Sequence, residues 1–155
     1  MDKFNPVEID HPGPSGRGIN TTSVFNAPRA LVFKAWSDPA HLAKWWGPKD
    51  FKNTFSVFEF KAGGDWKFIM HGPNGVDYPN HWRFSEVSEA RIVMAHVGQP
   101  YFTMTVTLED LGDQTRMTWD ALFDTVETYN GVKPFAVDGN RENFHRLHEH
   151  LVTMS

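Results

Sequence analysis

The sequence predicts an α+β domain: a curved antiparallel sheet of about six or seven strands, with helices gathered before and after it rather than alternating with strands. Three observations predict it. Residues 51–123 alternate apolar and polar side chains with period two and are broken by glycine-rich turns. Two short helical patterns, divided by Asp38-Pro39, come before that stretch. A stripe of helical period follows it and runs to the end of the chain.

Residues 1–18 hold Pro6, Pro12, Gly13, Pro14, Gly16 and Gly18, which resist regular structure. This segment reads as an irregular arm lying on the surface or on a partner. Residues 19–25 are rich in β-branched side chains, end on Phe25, and read as a first strand. Pro28 suits a first helical turn, where its missing N–H would be unpaired anyway. Leu31, Val32, Ala35 and Trp36 then recur on one helical face. Ser37-Asp38-Pro39 ends that helix and opens another, with Asp38 as N-cap and Pro39 as its first residue. The second helix carries Leu42, Trp45 and Trp46 and stops at Gly47-Pro48, so the two form a helical hairpin.

Residues 51–60 and 66–71 read as strands joined at Gly63-Gly64, and Gly72-Pro73-Asn74-Gly75 turns the chain again. Residues 78–86, 91–97, 101–108 and 115–123 make four more, the last two joined tightly at Asp110-Leu111-Gly112-Asp113. From near Pro134, the residues Asn140, Asn143, Phe144, Leu147 and Leu151 keep helical spacing. Arg141, Glu142, Arg146, Glu149 and His150 fall mostly elsewhere on the wheel, and His145 and His150 are expected to face solvent. A helix of about 18 residues spans roughly 27 Å, enough to cross a twisted sheet. The expected organisation is an arm at 1–18 and one domain at 19–155.

A length of 155 residues suits a single domain that buries a core without staples. The formal net charge is −4 and no Lys/Arg cluster occurs, so nucleic acid and anionic membrane surfaces both lack their electrostatic footprint. The absence of cysteine removes disulfides, thiolate catalysis and cysteine-based metal sites. No apolar run approaches the roughly 20 residues of a spanning helix. The N-terminus does not read as a signal peptide, and the expected address is the cytoplasm.

Three stretches resemble a known family. The first is Pro28-Arg29-Ala30-Leu31-Val32-Phe33-Lys34-Ala35-Trp36, then Asp38-Pro39-Ala40-His41-Leu42 and Trp45-Trp46-Gly47-Pro48. The second runs from Glu59-Phe60-Lys61-Ala62-Gly63-Gly64-Asp65-Trp66 through Met70 to Gly72-Pro73-Asn74-Gly75. The third is Leu108-Glu109-Asp110-Leu111-Gly112-Asp113-Gln114-Thr115-Arg116. In this order they resemble the activator-of-Hsp90-ATPase-homologue-1-like domains of the START/Bet v 1 superfamily. The resemblance implies the helix-grip fold, in which the last helix closes the sheet over a ligand cavity. It implies function less directly, because sites are grafted on folds. Two departures bear on specificity. Family members often read Gly-Trp where this chain has Gly139-Asn140, and a glycine where it has Trp82. The resemblance therefore implies a reshaped cavity with an amide placed in it.

Thirteen Phe and six Trp supply an aromatic interior. By alternation Trp66, Phe68 and Met70 share a face, as do Trp82 with Phe84, Met94 with His96, Met104 with Val106 and Leu108, and Met117 with Trp119. Trp46 at the end of the helical hairpin, and Asn140, Asn143, Phe144 and Leu147 on the last helix, complete the candidate ligand-binding set. The competing expectation is that these side chains fill the interior solid. Trp45 and Trp46 point about 100° apart, so one can face the core and the other the cavity mouth. His96 and Asn140 are the polar candidates. They would orient one polar group of a ligand, or bond to each other or to buried water.

Glu142 and His145 stand at the spacing used in carboxylate-bridged metal bundles, but the further ligands are missing, so no metal or cofactor is expected. No nucleophile elbow occurs. Acid–base work by His96, His81 or Glu86 lacks a second catalytic partner, and no catalytic residue is assigned. The leading expectation is non-enzymatic binding of a small hydrophobic molecule. The alternatives are an Hsp90-type co-chaperone, as the resemblance implies, and a cyclase- or hydrolase-type enzyme on a similar ligand. The co-chaperone namesake carries an extra N-terminal domain for which the short arm leaves no room. The fold class admits a homodimer, with no interface legible in the residues.

Overall fold

The computed structural model describes residues 3–154. In chain order its elements are β1 (Glu8–Asp10), β2 (Gly18–Phe25), α1 (Arg29–Ser37), α2 (Pro39–Trp45), β3 (Lys52–Phe58), β4 (Asp65–His71), β5 (Asp77–Val87), β6 (Arg91–His96), β7 (Phe102–Asp110), β8 (Thr115–Phe123) and α3 (Val126–Met154). The strands form one antiparallel sheet in the order β1-β2-β8-β7-β6-β5-β4-β3. Bulges between Phe55 and Val57 and between Phe84 and Glu86 interrupt the register, and such bulges add local twist. The predicted α+β architecture is present. The sheet has eight strands, one more than the sequence pattern shows.

The extra strand lies in the arm expected to be irregular. Ile9 pairs with Thr21, so β1 covers the free edge of β2. Local propensity does not hold it there. Ser23 donates its hydroxyl to Pro6 O (3.0 Å), and Arg141 Nη1 donates to Val7 O (2.9 Å). His148 completes the pin. Its ring lies between Phe4 and Phe25, with centroid distances of 5.0 and 4.0 Å, and its Nε2 is 2.9 Å from Ser23 Oγ.

The last helix also departs from expectation. It starts at Val126 rather than near Pro134 and has 29 residues, about 43 Å at about 1.5 Å each. Thr125 caps it, its hydroxyl accepting from the Thr128 N–H at 3.0 Å. Tyr129 anchors the first turn, buried and hydrogen-bonded to His11 Nδ1 at 2.6 Å. Cap and anchor together carry the helix through Pro134 and two glycines. The remaining helical expectations agree closely. Asp38 caps α2 by accepting from Ala40 N–H, and Pro39 is its first residue.

The carbonyls at the C-terminus of α2 show how the hairpin is held. Leu42 O accepts from Trp46 N–H within the chain turn. Ala43 O accepts from Asn53 Nδ2, Lys44 O from Arg146 Nη2, and Trp45 O from Asn143 Nδ2. Trp46 O accepts from both Asn53 and Arg146. The carbonyls of this helix end that lack a backbone donor, Ala43 O to Trp46 O, are thus satisfied by side chains of β3 and α3. Arg146 also reaches Gly47 O, Pro48 O and Phe51 O. The sequence pattern places Arg146 off the buried stripe; here it is a half-buried clamp, and burial pulls its pKa down from the usual guanidinium range. A cation at the negative end of a helix is favourably placed.

Candidate functional site

The inward face of the sheet divides into a filled half and an open half. In the filled half, Phe84, Ile92, Met94, Leu108, Met117 and Phe25 pack under α1 and the C-terminal turns of α3. At its border stands a cluster of indoles. The ring of Trp46 lies 4.9–6.3 Å from the rings of Trp36, Trp45, Trp66, Trp82 and Trp119, which are all the other tryptophans of the chain. Most of these pairs meet edge to face, the arrangement that aromatic quadrupoles favour. Trp45 is the structural member of the adjacent pair, donating to Ala35 O at 3.0 Å and so tying α2 to α1.

Beyond Trp46 the sheet and α3 diverge around a recess of about 380 Å³. Its sheet wall is one alternating face: Ile19, Met70, Asn80 with Trp82, His96, Phe102 with Met104, and Trp119 with Ala121 and Phe123. Its roof is the N-terminal half of α3, from Val132 to Asn143. Trp46, Gly47 and Pro48 close one side. Gly47 has φ +98°, and a Cβ there would sit 2.7 Å from Met70 Cε, so the turn that admits Trp46 to the recess requires glycine. Phe135 stands at the rim with 77% of its surface exposed, a large apolar side chain left in water beside an apolar opening.

Of the fifteen candidates, Trp46, Met70, Trp82, His96, Met104, Trp119, Asn140 and Asn143 line the recess. The expectation that the others do so is corrected. Trp66, Phe68, Phe84, Met94, Met117, Phe144 and Leu147 lie in the filled half, nearly inaccessible, because the indole cluster and α1 occupy the space beneath the helix. Residues missed by sequence reasoning include Phe102, Phe123 and Asn80. Phe102 and Asn80 lie two positions, and Phe123 four, from a candidate on the same strand face, so strict alternation finds them.

The polar groups have defined partners. Asn143 is committed twice, accepting from Gly47 N–H at 3.1 Å and donating to Trp45 O at 2.8 Å. Asn140 Nδ2 donates to Thr21 Oγ1 at 3.2 Å. His96 has Nδ1 2.9 Å from Pro100 O and Nε2 3.4 Å from Asn80 Oδ1, while Asn140 turns to Thr21, so His96 and Asn140 do not bond to each other. The Nε1 atoms of Trp66, Trp82 and Trp119 are buried with no acceptor among the described residues, and the latter two belong to the recess wall. Among the described residues no Asp, Glu, Lys or Arg lines the recess.

A larger opening of about 630 Å³ between the arm and α3 differs in kind. It is lined by Lys49, Arg141, Glu142, Arg146 and Glu149. Glu142 there accepts from Lys49 N–H, and His145 faces Glu149 at 3.5 Å, so the two residues with metal-bundle spacing have other partners. Among the described residues no three His, Asp or Glu side chains group as metal ligands do. His150, expected in solvent, is half-buried against His41, with nitrogens 3.0 Å apart.

A long helix gripped by a curved antiparallel sheet, with an apolar recess between them, defines a helix-grip domain. The chain belongs to the family described as activator of Hsp90 ATPase homolog 1-like protein, whose model matches residues 26–152. Solved structures agree in fold. A protein from Arthrobacter aurescens superposes with a TM-score of 0.86 at 25% identity, covering 94% of this chain and 91% of its own. One from Mycobacterium smegmatis gives 0.85 at 22% identity, covering 97% and 100%. One from Nitrosomonas europaea gives 0.83 at 22%, covering 93% and 99%. No curated protein sequence matches significantly. Among the described residues no helix is long and apolar enough to cross a membrane.

Proposed function

We propose that this chain binds a small, largely apolar molecule in the recess between the sheet and the N-terminal half of α3, without performing chemistry on it. The observation that carries this reading is the recess itself: concave, about 380 Å³, aromatic and aliphatic on most of its wall, with a few fixed polar groups. The exposed Phe135 at the rim supports it, since a bound apolar molecule would cover that ring. The non-enzymatic part rests on the surroundings of His96. The polar atoms nearest its two ring nitrogens are two backbone carbonyl oxygens and one amide oxygen, none of which is an acid or a base.

The test is a library of hydrophobic probes followed by tryptophan fluorescence and melting temperature. Saturating binders should raise the melting temperature in proportion to the logarithm of concentration. If no probe does so, the reading fails. Mass spectrometry of a bound probe after long incubation should return it unchanged; a modified probe would establish an enzyme instead. The family description points to a second reading, a partner ATPase of the Hsp90 type. On the small-molecule reading, adding the chain leaves the rate of such an ATPase unchanged.

A further inference from the structure

With the imidazole in its neutral form, one corner of the recess holds two acceptors with no proton between them. His96 Nδ1 lies 2.9 Å from Pro100 O and 3.2 Å from Gly98 O. Carbonyl oxygens only accept, so Nδ1 carries the hydrogen, and Nε2 of the neutral ring is a bare lone pair. Facing it at 3.4 Å is Asn80 Oδ1. The orientation of that amide is set by its other end, because Asn80 Nδ2 donates to Tyr78 O at 3.0 Å. The oxygen, not the NH₂ group, therefore meets the imidazole. Both residues line the recess, and the imidazole is held rigidly: it stacks on Phe102 (5.3 Å, 15°) and meets the Trp82 ring at 5.1 Å and 83°.

We propose that the recess takes a neutral, mainly apolar molecule that carries a hydroxyl group, and that this hydroxyl donates its hydrogen to His96 Nε2 beside Asn80 Oδ1. The inference rests on the recess being a ligand site. A hydroxyl supplies the one thing the corner lacks, a donor. A ketone or an ether oxygen in the same place would add a third lone pair. Neutrality follows from the wall. With no ionised Asp, Glu, Lys or Arg side chain lining it among the described residues, a charged ligand would lose hydration without a counter-charge.

The test compares 2-naphthol with 2-methoxynaphthalene, which share a ring system and differ in the hydroxyl hydrogen. Both probes are titrated calorimetrically in the same buffer, at about pH 8. One added hydrogen bond should make naphthol bind about fivefold to tenfold tighter. His96→Phe, which keeps the ring and removes the acceptor, should abolish the preference, and Asn80→Leu should reduce it. In nitrogen-detected NMR of the unsubstituted protein, His96 should be the Nδ1–H tautomer, and Nε2 should shift with naphthol but not with the ether. Equal affinities, an unchanged preference in His96→Phe, an Nε2–H tautomer, or an unmoved Nε2 would each overturn the hydroxyl assignment while leaving the ligand site standing. If neither probe binds, the assignment and the ligand-site reading fall together. The NMR result decides the matter even if His96→Phe does not fold.

Discussion

Replacing Arg146 should loosen the recess and the fold together. Its two terminal nitrogens make five contacts with backbone oxygens: Nη1 with Trp46 O, Gly47 O and Pro48 O, and Nη2 with Lys44 O and Phe51 O, all at 2.8–3.0 Å. Four protons serve these five acceptors, so one proton is shared. Hydrogen bonds from a charged donor contribute about 1.5–3 kcal/mol each, which sets a gross loss of at least about 6 kcal/mol for four. Two effects reduce it. The bond to Lys44 O is exposed, so water replaces the lost donor there. Returning a half-buried guanidinium to water also recovers part of its desolvation cost. For Arg146→Met, which retains much of the stem's packing, we expect a net loss of about 3–4 kcal/mol, since the remaining carbonyls are left unpaired. That corresponds to roughly 10 °C in melting temperature for a chain of this size. Arg146→Lys keeps the charge but offers three protons from one point, and should lose about half as much. Urea unfolding with an unchanged slope measures both. Because residues 46–48 form one side of the recess, naphthol affinity should fall in parallel. Both variants unfolding within about 1 kcal/mol of the parent would refute the clamp.

Gly131 and Gly139 lie inside α3, where a Cβ meets nothing within 4 Å at the first and only Pro48 Cγ at 3.6 Å at the second. Each change to Ala should stabilise by about 1 kcal/mol in thermal unfolding; no gain would mean that this stretch is not regular helix in solution. Burial, with His145 nearby adding to it, lowers the pKa of His148 from 6.5 to about 4. The unfolded chain then binds more protons between those values. Stability is complete above about 6.5 and falls as the pH drops towards about 4. His148→Leu should flatten that decline in urea midpoint, and an unaltered acid slope would refute the assignment. Trp46→Ala should cost about 3–5 kcal/mol and collapse the near-ultraviolet circular dichroism, whereas an unchanged spectrum would contradict the indole cluster.

The parts of the fold written in local chemistry were legible in the residues. Pro28 and Asp38-Pro39 mark the two short helices because they act within one turn, and strand alternation marks the inward face because its period is independent of distant contacts. The misses depend on partners far along the chain. Glu8–Asp10 is a strand only because β2 offers an edge and Arg141 and His148 hold the arm against it. The first half of α3 carries Gly131 and Pro134, which argue against a helix, and the Thr125 cap together with Tyr129 buried against His11 outweighs them. Alternation states which side chains face inward but not where the interior is filled. That boundary is set by Trp46, whose position depends on Gly47, Asn143 and Arg146 acting from two separate elements.

The meeting of every indole on Trp46 has an optical consequence. With ring centres no more than 6.3 Å from that hub, light absorbed by any tryptophan migrates among them before it is emitted. The protein should glow as one lamp rather than six. A visitor touching the hub alone should then dim the whole emission, by far more than a single ring's share.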